Sequence, residues 1–403
     1  MAHYRKRHFD HIFKKTINFS PIVGVIGHRQ VGKTTFVSDE KGKYITLDDS
    51  QNKILANKDP EDFLRKNSAS TLIIDECQKA PRLFEALKGW VRTKKKPGQF
   101  LLTGSVRFTS KTSIRESLTG RIVNLELLPL TISEILERQL SDLSSKIISS
   151  SSIGSVVDFL KKNNSNYINN SNAINRYLNE GGLPGVCFTL DQSLKDLRLK
   201  EYLSTILDRD LREIYATNLP FGQILDFITV LAKSQGLPVD YTEIQLETQI
   251  SPPTQKKILN ALEAVFLIRT LKIEGGRKGF IVFLEDQAES KYLAGKSLSE
   301  YQYRIQALYR NVRTEFYYGL GKKFRFFHYL TKHHTSIPFA VETDDGVLGY
   351  LPIEHDVPSH AERMAAQSFL KNYSHGKVVM IHPKAILKEV SANTLLMSDR
   401  YFY

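Results

Sequence analysis

The sequence predicts an α/β fold whose N-terminal third is a parallel sheet covered by helices on both faces. Three observations predict it. Between residues 22 and 136, five strand-length apolar runs alternate with polar, helix-compatible stretches. The first four, "IVGVI", "YITL", "TLIID" and "QFLLT", lack the polar alternation of a strand with one wet face. A glycine-containing turn follows directly behind the first run.

Composition bounds the rest. A chain of 403 residues has room for two or three domains and for a core that needs no disulfides. Its two cysteines, Cys77 and Cys187, show no metal-ligand spacing, which suits a reducing compartment. No apolar run approaches membrane-spanning length. The N-terminal "MAHYRKRHFDHIFKKTINFS" is basic but lacks the apolar core of a secretory signal. The expectation is a cytoplasmic protein with no membrane partner. Lys and Arg number 56 against 43 Asp and Glu, a net charge of +13. That balance suits a nucleic acid or another polyanion, and equally a merely solvated basic surface.

The first run, 22–26, leads into "GHRQVGKT", which matches G-x-x-x-x-G-K-[ST] with Gly27, Gly32, Lys33 and Thr34. "TTFVSDE" then opens a helix, completing the strand–loop–helix order of a phosphate-binding P-loop. Backbone N–H groups of His28, Arg29, Gln30, Val31 and the helix start through Thr35 would converge on phosphate oxygens. Lys33 would reach the β and γ phosphates as a point charge. The Thr34 hydroxyl is an oxygen ligand for Mg²⁺.

"YITL" is the second strand. The third, in "STLIIDECQKAP", ends on Asp75, at the strand end where open α/β sheets place ligands. Asp75 is the second metal-side carboxylate. Glu76 follows as the residue to orient and deprotonate an attacking water, so the pair argues for hydrolysis and not binding alone. The fourth strand, in "PGQFLLTGS", ends on Thr103 and Ser105. In P-loop ATPases with an additional strand, a polar residue there senses the γ-phosphate; ordinary turn chemistry is the other reading. Before the fifth run, "IVNLELL", come Arg115 and Arg121. Arg121 would stabilise charge on the transferred phosphate, in its own or a neighbouring subunit, or serve as a surface or DNA contact.

After residue 140 the texture changes. Residues 141–172 are rich in Ser and Asn and read as a loop or insertion around a short helix at "SVVDFLKK". Residues 173–220 read as helical around the turn "EGGLPG", and 221–276 as a second helical block ending in the strand "FLIRTLKI".

Together, "GHRQVGKTT", "YITLDD", "IIDECQKAPRLFEALK", "FLLTGS", "SLTGRIVNLELLPLTISEIL" and "NEGGLPG" resemble the prokaryotic AAA-like (AAA_14-type) ATPases with a DUF4143-type C-terminal region. The resemblance implies ATP and Mg²⁺ as cofactors and a P-loop core of the additional-strand type over residues 1–140. It also implies a winged-helix-like domain over 221–276, with Ser251 capping a helix whose exposed face carries Gln255, Lys256, Lys257 and Asn260. That helix would contact DNA or merely pack between domains. For 277–403 it implies a restriction-nuclease-like domain. There Pro338 stands where an Asp is expected, Glu354 matches the Glu and Asp356 replaces the lysine, so the domain should be catalytically dead. His333, His334, His355 and His360 read as surface residues. "EFYYGLGKKFRFFHYLTKHH", with Lys322, Lys323, Arg325 and Lys332, reads as a half-buried strand or a base-stacking surface. The resemblance implies little about biological role; the first hypothesis is an ATP-hydrolysing switch or remodeller whose C-terminal domains choose the partner. The alternatives are an ATP-controlled DNA-binding regulator and, lastly, a nuclease.

Overall fold

A computed structural model describes residues 4–108, 120–164, 167–168, 170–319 and 323–403. Arg115 and Lys322 lie outside the described residues. The five predicted strands form: β1 (Ile22–Ile26), β2 (Lys43–Thr46), β3 (Leu72–Asp75), β4 (Phe100–Gly104) and β5 (Ile122–Glu126). They make one parallel sheet in the order β2-β3-β4-β1-β5. β4 is the additional strand, lying between β1 and the Asp75 strand β3. Both faces are covered, which is why the sequence shows no alternation. Ile22, Ile26, Leu72, Ile74, Phe100 and Leu102 pack against α3 (Ser50–Lys58), α4 (Pro60–Asn67) and α5 (Leu83–Thr93). Val23, Val25, Ile73 and Leu101 face α1 (Phe9–Ile17) and α2 (Lys33–Ser38). There the Phe9 and Phe13 rings meet Phe36 edge-on at 5.0 and 4.9 Å.

The Ser/Asn-rich stretch holds a helix that the composition did not suggest, α6 (Leu143–Ser149), and after it the expected one, α7 (Ile153–Lys162). Leu143, Ile147 and Ile148 of the first, and Ile153, Val156, Val157 and Leu160 of the second, bury in one core with the C-terminal sheet. Sparse apolar residues at helical spacing outweigh a serine-rich composition once a partner surface exists. α8 (Ser171–Glu180) precedes the glycine turn, and α9 (Gln192–Thr205) continues through a π-helical turn, Ile206–Asp210, to Ile214.

Three helices follow, α10 (Phe221–Lys233), α11 (Tyr241–Thr248) and α12 (Pro252–Ala264), then a hairpin of β6 (Ile268–Glu274) and β7 (Phe280–Leu284). Pro252 starts α12, but the Ser251 hydroxyl bonds Thr254 Oγ1 at 3.1 Å and caps no backbone N–H. Gln255 is buried rather than exposed; its amide donates to the Tyr241 and Ile250 carbonyls. Lys256, Lys257 and Asn260 are exposed as expected.

The remaining chain forms α13 (Gln287–Ala294), α14 (Glu300–Tyr318), β8 (Phe324–Leu330), β9 (Ser336–Thr343), β10 (Gly346–Pro352), α15 (His360–Asn372), β11 (Gly376–Ile381), β12 (Lys388–Ser391) and β13 (Thr394–Met397). The eight-stranded sheet has the order β12-β13-β11-β10-β9-β8-β6-β7. β6 pairs in parallel with β8, so an expected boundary near residue 276 falls inside one continuous sheet. The aromatic–basic stretch is a strand: Phe327 and Tyr329 are fully buried, and Arg325 pairs with Glu274 and Glu342. Pro338 lies in β9 and can donate no ladder bond; the β8–β9 register shifts opposite it, at Phe327/Tyr329, and His328 Nδ1 meets the Pro338 carbonyl at 2.8 Å. His333, His334, His355 and His360 are exposed, and no cluster of three or more His, Cys, Asp or Glu suited to a metal occurs among the described residues.

Glu315, on α14, accepts from the Ser144 and Ser145 N–H groups at 3.2 and 2.8 Å, capping α6 from a distant helix. Burial raises its carboxyl from 4.5 to about 7, against the pull of those N–H groups. A carboxyl raised on folding makes the native state the better proton binder, so stability falls as pH rises from about 4.5 to about 7. Urea unfolding should show a loss on the order of 1–3 kcal/mol across that window. Glu315→Gln should flatten it.

Candidate nucleotide site

The carboxyl ends of β1, β3 and β4 meet at one edge of the parallel sheet. Their register sets Ile26 beside Gly104 and Ile74 beside Leu102. The loop after β1 begins with Gly27, at φ +150°, where an added Cβ would stand 2.3 Å from the Leu127 carbonyl oxygen. It ends on Gly32 at φ +95°, the left-handed residue that starts α2. Lys33 is buried; its ammonium donates to the Gly27 and His28 carbonyls, both at 2.9 Å, closing the loop around itself. Burial lowers its pKa to about 8; the Glu76 and Asp75 carboxylates oppose that fall and Arg29 adds to it.

Asp75 gathers the hydroxyls. Thr34 Oγ1 lies 3.1 Å from Oδ2 and 3.3 Å from Oδ1, Tyr44 donates to Oδ2 at 2.7 Å, and Thr103 donates to Oδ1. Thr34 and Asp75 therefore meet as an all-oxygen donor set that fits a hard divalent cation such as Mg²⁺. Burial and the Asp75 contact raise the Tyr44 phenol above its ordinary range. Glu76 is 9% exposed and sits at φ +55°, a conformation that costs a residue with a Cβ. Its N–H donates to Thr103 Oγ1 at 3.2 Å, and its carboxylate accepts from Gln78 Nε2 at 2.5 Å. Gln78 also reaches Ser105 Oγ at 3.4 Å. Thr103 thus contacts the metal-side carboxylate, whereas Ser105 reaches Glu76 only through Gln78.

The side chains of two loop residues turn away from the phosphate face. His28 Nε2 lies 3.1 Å from Glu289 Oε1 on α13, both fully buried. Burial resists the charge on either group and each supports the other's; the Glu289 carboxylate wins at His28 and raises its imidazole, while burial wins at Glu289 and raises its carboxyl. Arg29 Nε lies 3.2 Å from Asp210 Oδ2 in the π-helical turn. Arg7 donates to the Val31 carbonyl at 2.8 Å and pairs with Glu134, binding the N-terminal segment to the loop.

Arg121 is not where a catalytic arginine on its own nucleotide belongs. β5 runs parallel to β1 with Ile22 beside Ile122 and Ile26 beside Glu126. Arg121 precedes the strand and the loop follows β1, so a strand length, roughly 16 Å, separates them. That placement leaves the surface or DNA-contact reading and, for catalysis, only an arginine acting on a neighbouring subunit's nucleotide.

The sequence reading missed Tyr44, Gln78 and a cavity of about 540 Å³ beside the loop. Gly32, Thr35 and Phe36 form one wall, and Arg5, Phe188 and Arg198 another. For the cavity the signals were faint, a basic N-terminal run and the "GGLPG" turn; for Tyr44 and Gln78 there were none.

Residues 19–136 match the family model described as an AAA domain. This segment is an AAA-like P-loop domain. Residues 171–273 of the chain match a domain of unknown function, DUF8612, in place of the expected DUF4143-type region. Uncharacterized proteins of Mycobacterium bovis and Mycobacterium tuberculosis are each 26% identical over 262 residues, 64% of this chain and 51% of the relative. The chain therefore spans about half the length of the curated relatives it matches. Among solved structures, a Walker-type ATPase of Pyrococcus abyssi is 12% identical, with a TM-score of 0.38 over 71% of this chain and 94% of that one. The Aeropyrum pernix ORC1 protein in complex with DNA is 13% identical, with a TM-score of 0.27 over 73% and 93%. A Thermotoga maritima RuvB variant is 17% identical, with a TM-score of 0.24 over 68% and 88%.

The His28–Glu289 pair ties the AAA-like domain's loop to α13. Glu289→Ala leaves a buried imidazole without its partner and should lower the unfolding free energy by about 3 kcal/mol in guanidinium titrations. Glu289→Gln, which keeps the shape and one polar contact, should cost less.

Proposed function

We propose that the chain is a Mg²⁺-dependent ATP hydrolase acting as a switch or remodeller, with its C-terminal region presenting the partner-binding surfaces. The observation that carries the reading is the meeting of Thr34 and Asp75 at 3.1 Å beneath a P-loop, with Glu76 next in the chain. The loop N–H groups and Lys33 bind the β and γ phosphates. Thr34 and Asp75 would hold Mg²⁺, which supplies charge neutralisation at the phosphate oxygens when bound. Glu76 takes the proton of the attacking water, and Gln78 holds its carboxylate in reserve. The nucleoside half of ATP occupies the cavity between Phe36 and Phe188.

The order α10, α11, α12, then the β6–β7 hairpin, supports a winged-helix-like unit. The DNA-regulator reading rests on the exposed Lys256, Lys257 and Asn260 of α12. Against it, the hairpin that would act as a wing is paired into the C-terminal sheet through β8. A packing role fits that unit better. The run α14, β8, β9, β10, α15, β11 supports the nuclease-like reading of the last third. Pro338 and Asp356 leave it without a cutting site.

Purified protein should hydrolyse ATP in Mg²⁺. Lys33→Ala should lose nucleotide affinity, while Glu76→Gln should keep affinity and lose turnover. Full turnover in a folded Glu76→Gln protein would remove Glu76 from its role. ATP affinity should also weaken as pH rises above about 8, because Lys33 then sheds its proton. The expected slope is about tenfold per pH unit in calorimetric titrations. Supercoiled DNA incubated with Mg²⁺ or Mn²⁺ should stay intact; cleavage abolished by Glu354→Ala would restore the nuclease reading.

A further inference from the structure

A cavity of about 500 Å³ opens at the carboxyl ends of three parallel neighbours, β10, β11 and β13. In open α/β sheets this end of the strands is where ligands lodge. Its wall is completed by one face of α14, with Glu300, Tyr301 and Arg304 in the first turns. Glu354 and Asp399 come from the strand ends. Leu308, Ile353 and Ile381 give it an apolar floor.

The features that would attract an anion here are already engaged. The Arg304 guanidinium donates to Glu300 Oε1 at 2.7 Å and Asp399 Oδ2 at 2.8 Å. The α14 N-terminus is closed by a Ser299–Gln302 capping box, with Glu300 in its first turn. What remains available is negative and aromatic. Glu354 is exposed, and its carboxylate accepts no hydrogen bond among the described residues. Tyr301 is 43% exposed. Burial, then the Glu362 and Glu354 carboxylates, pushes its phenol up to about 12, which keeps it neutral. Tyr403 lines the same cavity at 6% exposure, and its phenol oxygen has no partner among the described residues. In a chain of net charge +13, three lining carboxylates against one guanidinium is a local reversal of sign.

A hard metal ion fits poorly. It needs several converging oxygens, and no cluster of three or more His, Cys, Asp or Glu suited to a metal occurs among the described residues, here included. An organic cation needs less: one unpaired carboxylate beside an aromatic ring and an apolar floor.

We propose that this cleft binds a small organic cation, an ammonium or guanidinium group on an apolar body, at a site separate from the nucleotide loop. Glu354 receives the charge, Tyr301 covers it, and the aliphatic floor takes the body. The inference stands without the ATPase reading.

Calorimetric titration of the full chain with benzamidine and with spermidine tests it. Saturable binding that weakens as salt rises is expected for one or both. Glu354→Gln and Tyr301→Ala should each weaken it by about tenfold. Lys256→Ala on α12 should leave it unchanged. Glu354 is exposed, so its substitution spares the fold; thermal melts confirm this, and Tyr301→Ala gives an independent reading. The proposal fails if neither cation binds, or if Glu354→Gln keeps wild-type affinity. It fails equally if the Glu354-dependent signal appears with Mn²⁺ or inorganic phosphate and not with the organic cations.

Discussion

A buried seam of arginines and carboxylates joins the two sheets, and the placement of the nucleotide loop depends on it. Arg269 on β6 pairs with Glu126 at the end of β5 and with Glu285. Arg313 on α14 takes the other side of Glu285. Arg310 pairs with Asp286 and reaches the Leu130 carbonyl and the Tyr177 phenol. All six charged groups are buried. Charges out of water are tolerated only when each is matched, and removing one partner of such a pair costs about 3–5 kcal/mol. Against the cost of burial, Arg269 and Arg313 hold the Glu285 carboxyl below its ordinary range.

The seam also explains the glycine turn. Gly182 donates its N–H to Asp286 at 2.7 Å, and a Cβ there would stand 2.0 Å from the Leu130 carbonyl oxygen. The helix α13 that begins beside Asp286 carries Glu289 to His28. The loop is therefore gripped from outside at two consecutive positions, His28 by α13 and Arg29 by the π-helical turn. Its backbone is left for the phosphates of the proposed nucleotide. Any movement of that backbone has to be accommodated by two ion pairs in the C-terminal half, which is how this architecture links the loop to the rest of the chain.

The phosphate loop was legible because its chemistry is local. Gly27, Gly32, Lys33 and Thr34 act within eight residues, and the flanking apolar strand supplies the context. Asp75 and Glu76 were legible because they end an apolar run. Tyr44 and Gln78 were not, since nothing in "KYIT" or "CQK" announces that a phenol or an amide will meet a carboxylate brought from another strand. α6 was illegible for a related reason. Its three buried apolar residues among serines hold a helix only against β10 and β11, about 200 residues later in the chain.

By itself the sequence determined the parallel α/β core, the phosphate loop and the acidic strand end, because periodicity and short motifs are properties of neighbouring residues. Tertiary structure alone decided the rest. It placed Arg121 at the far end of the sheet, since parallel pairing with β1 puts the start of β5 a strand length from the loop. It drew β6 across an apparent domain boundary into the C-terminal sheet, because an unpaired strand edge is satisfied by whichever neighbour the packing presents. It also drew the His28 and Arg29 side chains to Glu289 and Asp210, buried carboxylates that come from distant helical segments.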